Sequence, residues 1–257
     1  MFDIVVPLGP YDHERFNQAL PFTQKNIVGY RKIYVVTQAE TIKKLAHHAS
    51  AVQFIDEAIY PFGIEDLTPH IGAIKRRGWY FQQLLKLYAG FIIPGILPRW
   101  LIIDADTFFL KPVEFIRDGK CCYNVGNEYM KQYFAHLARL LPGLHRVDER
   151  LGGITHHMIF EARFVKELFE RVEAHHKKPF WRAFMDAIEP FEYDKSGASE
   201  YEMYFNYMLI YHRDEIVLRP LRWENTYWVD TTLDRDYISA HEWMHQMFLE
   251  ANKQSRA

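Results

Sequence analysis

Apolar residues in this chain come in short β-branched runs separated by longer stretches of helical spacing. FDIVVPL (2–8) reads as a buried strand, closed by Pro7 and Gly9. Residues 12–27 have helix-like composition, and RKIYVVT (31–37) reads as a second strand. A helix over 39–49 then leads to a third strand, AVQFIDE (51–57). WYFQQLLKLYAGF (79–91) has apolar residues at helical spacing. In RWLIIDADTFFL (99–110) the run WLII predicts a buried strand that stops at an acidic pair. KCCYNVG (120–126) is a further strand candidate, and residues 152–164 read as a strand followed by the start of a helix. Residues 199–212 predict a strong helix, with Ser199 as N-cap and Glu202 completing a capping box. Residues 216–230 are extended and aromatic. Strands spaced by helices predict an α/β fold with a mostly parallel sheet. No repeat or linker divides the chain, so one domain is expected.

Composition narrows the function classes. The 257 residues suffice for one large domain, and 25% charged residues are ordinary for a globular protein. A net charge of −2 gives no electrostatic case for nucleic acid, which would need a basic face, and the short basic runs at 75–77 and 175–178 read as solvated. Cys121 and Cys122 are adjacent, badly placed for an ordinary disulfide and suited to a reducing compartment. The longest apolar tract is interrupted by Pro94, Pro98 and Arg99, and the N-terminus lacks a signal-peptide pattern. A soluble, cytoplasmic protein without a transmembrane segment is expected, with room for peripheral membrane association.

Two motifs carry candidate chemistry. Asp104-Ala105-Asp106 follows directly on the WLII run, so it should emerge at the carboxyl end of a buried strand, where open α/β sheets bind ligands. Two carboxylates one residue apart can converge on Mg²⁺ or Mn²⁺ and leave positions for phosphate oxygens. HEWMH (241–245) matches the zinc-protease helix, with Glu242 as base. A zinc hydrolase needs a third ligand, and after His245 only Glu250 is an ionisable candidate. A zinc hydrolase and a non-catalytic carbohydrate-binding protein are two readings of the chain to be weighed.

The segment QLLKLYAGFIIPGILPRWLIIDADTFFLKPVEF resembles the central part of nucleotide-sugar-dependent glycosyltransferases of the GT-A fold. The opening strand and the order of elements after Asp106 are also similar, so the likeness spans residues 2 to 245. It is nearest to an uncharacterised bacterial and viral family of nucleotide-diphospho-sugar transferases, and more distantly to glycogenin-like enzymes. The resemblance implies a single Rossmann-like domain over 1–257, with a nucleotide-sugar-binding half (1–110) and an acceptor-side half (111–257). It implies Mn²⁺ or Mg²⁺ held by Asp104, Asp106 and His241, a nucleotide-sugar donor, a carbohydrate acceptor, and a setting in polysaccharide biosynthesis. By the same resemblance Glu200, and after it Glu202, is the base.

Other residues are read from their chemistry and place. Lys75, Arg77 and Lys86 suit a diphosphate, while Trp79, Gln82 and Gln83 lie where a donor could rest. Pro7, Leu8 and Gly9 end the first strand, where backbone groups can meet a nucleobase, and Ala105 lies between the two aspartates. Alternation on a strand would turn one of His156 and His157 inward, placing one of them in the donor site. Trp223, Asn225, Tyr227, Trp228 and Asp230 suit carbohydrate, although the same composition would serve a buried strand. The expected donor is a UDP-sugar, and the expected reaction inverts configuration, the latter only because an acidic base candidate is present.

Overall fold

The computed structural model describes residues 1–72, 76–241 and 244. Among these residues the apolar runs form one five-stranded sheet. Its order is His157–Glu161, Arg99–Ile103, Phe2–Pro7, Tyr30–Thr37, Gln53–Asp56. Four strands are parallel, and His157–Glu161 runs antiparallel at one edge. Helices flank this sheet, giving the mixed α/β architecture that the alternating pattern predicts. Arg99–Ile103 is apolar throughout because it lies inside the sheet, with Trp100 to Ile103 buried.

The helix Arg77–Ile92 packs against the first strand and carries Lys86 on its buried side. It ends at Ile93, which is extended (φ −73°, ψ 120°) as the residue before a proline prefers. Trp100 Nε1 donates to Lys86 O at 3.2 Å, tying the helix to the central strand. Gly90 lets that helix approach the sheet, since a Cβ there would overlap the six-membered ring of Trp100. The helix Glu200–Tyr211 packs on the Lys86 helix and is buried from Glu200 to Leu209. Its apolar residues therefore surround it instead of forming one stripe.

A second, three-stranded sheet consists of Trp223–Thr226, Tyr237–Ala240 and Thr107–Phe109. Tyr237–Ala240 pairs antiparallel with Thr107–Phe109, setting Ser239 opposite Thr107. Ala240 N also donates to Asp106 O at 2.9 Å. This late strand returns the chain to the acidic pair.

Several boundaries differ from the sequence reading. The helix expected over 39–49 ends at Lys44 and gives way to a 3₁₀ turn, Ala46–His48. The strand expected from residue 152 begins only at His157, because Gly152 and Gly153 form a loop packed on the Glu200 helix. The 216–230 stretch splits into Ile216–Leu218 and Trp223–Thr226, on different sheets, with Pro220 between them. The helices Lys131–Leu140 and Phe180–Asp186 and the strand Tyr237–Ala240 have no counterpart in the sequence reading. Cys121 and Cys122 are free and buried. No described helix is long and apolar enough to cross a membrane.

Gly90→Ala should destabilise the protein by about 1–3 kcal/mol through overpacking against Trp100. Gly78→Ala, in the same helix with nothing within 4 Å of its would-be Cβ, should be neutral or stabilising by up to about 1 kcal/mol. Urea unfolding of the two variants checks the contrast.

Candidate active site

The order of the central sheet reverses next to Phe2–Pro7. From that strand the chain moves outward to Tyr30–Thr37 and Gln53–Asp56, while Arg99–Ile103 lies on its other side. Ligands bind outside the carboxyl ends of strands at such a reversal. Leu8 and Asp104 leave the two flanking strands there, and a cavity of about 580 Å³ opens beside Asp104, Ala105 and Asp106.

Asp104 is held from several sides. Its backbone N–H donates to His156 O at 2.9 Å, extending the strand pairing past Ile103. Lys86 Nζ donates to Asp104 Oδ1 at 2.7 Å, to Glu200 Oε1 at 2.7 Å and to the Tyr201 hydroxyl at 3.2 Å. Tyr201 donates in turn to Asp104 Oδ1 at 3.0 Å. All three ammonium hydrogens are thus used inside the protein, and the Lys86 side chain is only 4% exposed. His156 Nδ1 lies 3.4 Å from Asp104 Oδ2.

Asp106 is met by the late strand. His241 Nδ1 lies 2.6 Å from its Oδ2, and Ser239 donates to its Oδ1 at 3.2 Å. Ser239 and His241 are two residues apart, so the strand turns both toward the same carboxylate.

The electrostatics follow from these contacts. Burial opposes ionisation of Asp104, yet Lys86 and His156 outweigh it and hold the carboxyl well below the usual range. Burial likewise opposes charge on Lys86, but Asp104 and Glu200 keep its proton bound. Burial raises the affinity of Glu200 for a proton, with Lys86 offsetting part of the effect. Burial also works against the Asp106–His241 pair, whose mutual attraction lowers the carboxyl and raises the imidazole.

The structure brings many of the expected residues together. Lys86, Asp104, Ala105, Asp106, His156, Glu200, Asn225 and His241 line the large cavity. Pro7, Leu8 and Gly9 line an adjoining cavity of about 290 Å³, and Trp79 and Gln82 border both. Lys86, expected at a diphosphate, instead spends its hydrogens on Asp104, Glu200 and Tyr201. His156 has a left-handed backbone (φ 59°), and its Nε2 is buried without a hydrogen-bond partner among the described residues.

Other expected residues point elsewhere. Arg77 binds Glu65 and Thr68. Gln83 is buried and accepts from Glu200 N, satisfying the start of that helix. His157 is packed among Phe109, Phe115 and Tyr237, and burial pushes it down to about 3, so it is neutral. Glu202 turns from the cavity to accept from Gly153 N at 3.0 Å and Asn206 Nδ2 at 3.0 Å. Ser199 does cap the helix, but Glu202 does not complete the box. Tyr227 and Trp228 are half-exposed away from the cavity, and Asp230 caps Thr232. Trp223 stacks on Tyr237 with ring centroids 5.4 Å apart. Lys75, Glu242 and His245 lie outside the described residues.

Sequence reasoning missed Tyr201 and Ser239, which hydrogen-bond the two aspartates, and Glu128, which lines the large cavity. Tyr201 is next to Glu200, and Ser239 shares a strand face with His241; both spacings were readable once the partner was known. Glu128 sits in a loop with no local pattern.

A model described as "Family of unknown function (DUF6492)" matches residues 18–255. No curated protein matches the sequence. Among solved structures, the crystal structure of mouse xyloside xylosyltransferase 1, apo form, is similar with a TM-score of 0.46 at 12% identity. That match covers 88% of this chain and 87% of the other.

Lys86→Met leaves Asp104 and Glu200 buried without their cation and should cost about 3–5 kcal/mol of stability, read by urea unfolding. Burial pushes the Glu202 carboxyl up to about 7. The folded state therefore holds this proton more tightly than the unfolded one. Its contribution is full below the unfolded value and is lost as pH rises through 7, a change on the order of 3 kcal/mol. Glu202→Gln should remove that component, so its stability should fall less between pH 5 and pH 8 than the wild type's.

Proposed function

The chain belongs to DUF6492, a family of unknown function, and we propose that it is a metal-dependent glycosyltransferase of the GT-A fold. In this reading it moves a sugar from a nucleotide diphosphate to a hydroxyl acceptor. The observation that carries it is the placement of Asp104 and Asp106, with His241 on Asp106, at the sheet's reversal point beside the large cavity. A nucleotide sugar has two parts with different needs, and the two adjoining cavities answer them separately. The smaller one, bounded by Pro7, Leu8, Phe81 and Trp79, offers apolar and aromatic surface for a flat base. The larger one presents carboxylates and imidazoles where the diphosphate and sugar would lie.

The donor set suits a hard divalent cation. Among the described residues no three His, Cys, Asp or Glu side chains form a ready metal cage. Mg²⁺ and Mn²⁺ sites of this class are completed by substrate phosphates and water around one or two carboxylates. Asp106 and His241 would be the direct ligands and Asp104 the third. The buried Nε2 of His156 is a further polar group at the same wall. When bound, the ion would neutralise the charge that develops on the leaving diphosphate.

The chain's own residues have distinct parts in this scheme. Lys86 and Tyr201 fix Asp104 so that its Oδ1 is committed to the protein. Glu200 lines the cavity, but it is 3% exposed and bound to Lys86, so its part is to hold that cation in place. The Asp106–His241 pair presents a carboxylate and an imidazole together from the adjoining ends of two paired strands of the small sheet.

Calorimetric titration with UDP, and with GDP for comparison, should show binding that requires Mn²⁺. Asp106→Ala should abolish it, and His241→Ala should weaken it at least about tenfold, the loss of one modest ligand interaction. Metal-independent binding unaffected by either change would sink the proposal.

A further inference from the structure

The large cavity has a neighbour on its acceptor side. A groove of about 530 Å³, bordered by Gly126, Arg150, Arg222, Trp223 and Glu224, meets it at two shared residues, Glu128 and Asn225. The other charged side chains of the groove are paired. Arg150 binds Asp148 at 2.8 Å, Arg222 binds Asp234 at 2.9 Å, and Glu224 binds Arg235 at 3.1 Å. Among the described residues no such pair involves Glu128, which is half-buried at the junction.

The segment carrying Glu128 is firmly placed. Gly126 and Gly152 exchange backbone hydrogen bonds of 2.8 and 2.9 Å just before it. Immediately after it, the Tyr129 ring stacks on Phe134 at 5.4 Å and 13°, with the Arg146 guanidinium 4.8 Å from its centroid. These anchors on both sides fix the backbone that carries the Glu128 carboxylate to the junction, and proton transfer requires a placed group.

We propose that this groove takes a neutral glycan acceptor and that Glu128 is the catalytic base that receives the proton of its attacking hydroxyl. The inference rests on the glycosyltransferase reading. Pairing of the other charges leaves nothing to select a strongly ionic acceptor. Asn225 stands at the wall shared by the two cavities, where its side-chain amide can hydrogen-bond a sugar hydroxyl, and the Trp223 ring adds apolar surface to the groove. In the step itself, the acceptor O–H proton passes to the Glu128 carboxylate. The oxygen lone pair forms the new bond to the anomeric carbon, and the old anomeric C–O bond breaks with its electron pair on the diphosphate. This is a single displacement with inversion. Glu128 then returns its proton to solvent through the open groove.

The test compares wild type, Glu128→Gln and Glu200→Gln with Mn²⁺ and UDP-hexoses, using p-nitrophenyl hexosides or water as acceptor and UDP release as the readout. Calorimetry with UDP and Mn²⁺ runs beside it. Glu128→Gln should bind UDP as wild type does and lower kcat by roughly 10²–10⁴-fold, the usual contribution of a positioned base. Acceptor KM should change little. Wild-type turnover in Glu128→Gln, or loss of turnover with intact UDP binding only in Glu200→Gln, overturns the assignment while leaving the transferase reading in place. A wild type that binds no nucleoside diphosphate with Mn²⁺, or that binds one and releases no UDP from any donor, overturns both.

Discussion

One buried ammonium group organises the site. Lys86 sits where three elements meet, namely its own helix, the end of the central strand and the start of the Glu200 helix. A lone ammonium or carboxylate in such a place would be too costly to keep charged, so each group depends on the others. Asp104 keeps its charge because Lys86 is beside it. Lys86 keeps its proton because two carboxylates surround it. The positions of the Lys86 and Glu200 helices are thereby coupled to the orientation of one side chain in the cavity wall.

The second aspartate is governed differently. Asp106 takes its partners from the small sheet, so the two carboxylates of one three-residue motif are set by opposite sides of the molecule. Lys86 and Tyr201 approach from the helical side, and Ser239 and His241 from the strand side.

Much of the frame was legible in the sequence because its causes are local or periodic. Continuous apolar runs marked the parallel strands, and an acidic pair directly after WLII marked a strand end. Ser199 was legible as a cap because the residue type and its position before an apolar helix agree. Lys86 was legible only as a cation. Its setting in LLKLYAGF, with apolar residues on both sides, was the signal that it is buried and paired rather than presented to phosphate. Glu202 fits a local capping rule, yet a non-local donor, Gly153 N, claims its carboxylate. His156 and His157 do part ways, but through a left-handed turn at His156 that no strand pattern contains. Glu128 and the strand Tyr237–Ala240 owe their places to tertiary pairing, about which short polar segments say little.

The return of the late strand also bears on how the molecule matures. Asp106 finds its partners 133 and 135 residues further along the chain. During synthesis the acidic pair emerges long before His241, and long-range pairings of this kind form late because loop closure must precede them. A nascent chain can thus have the central sheet in place while Asp106 still faces water. The cavity acquires its final charge pattern only when the second sheet closes, so completion of folding and readiness of the site are the same event.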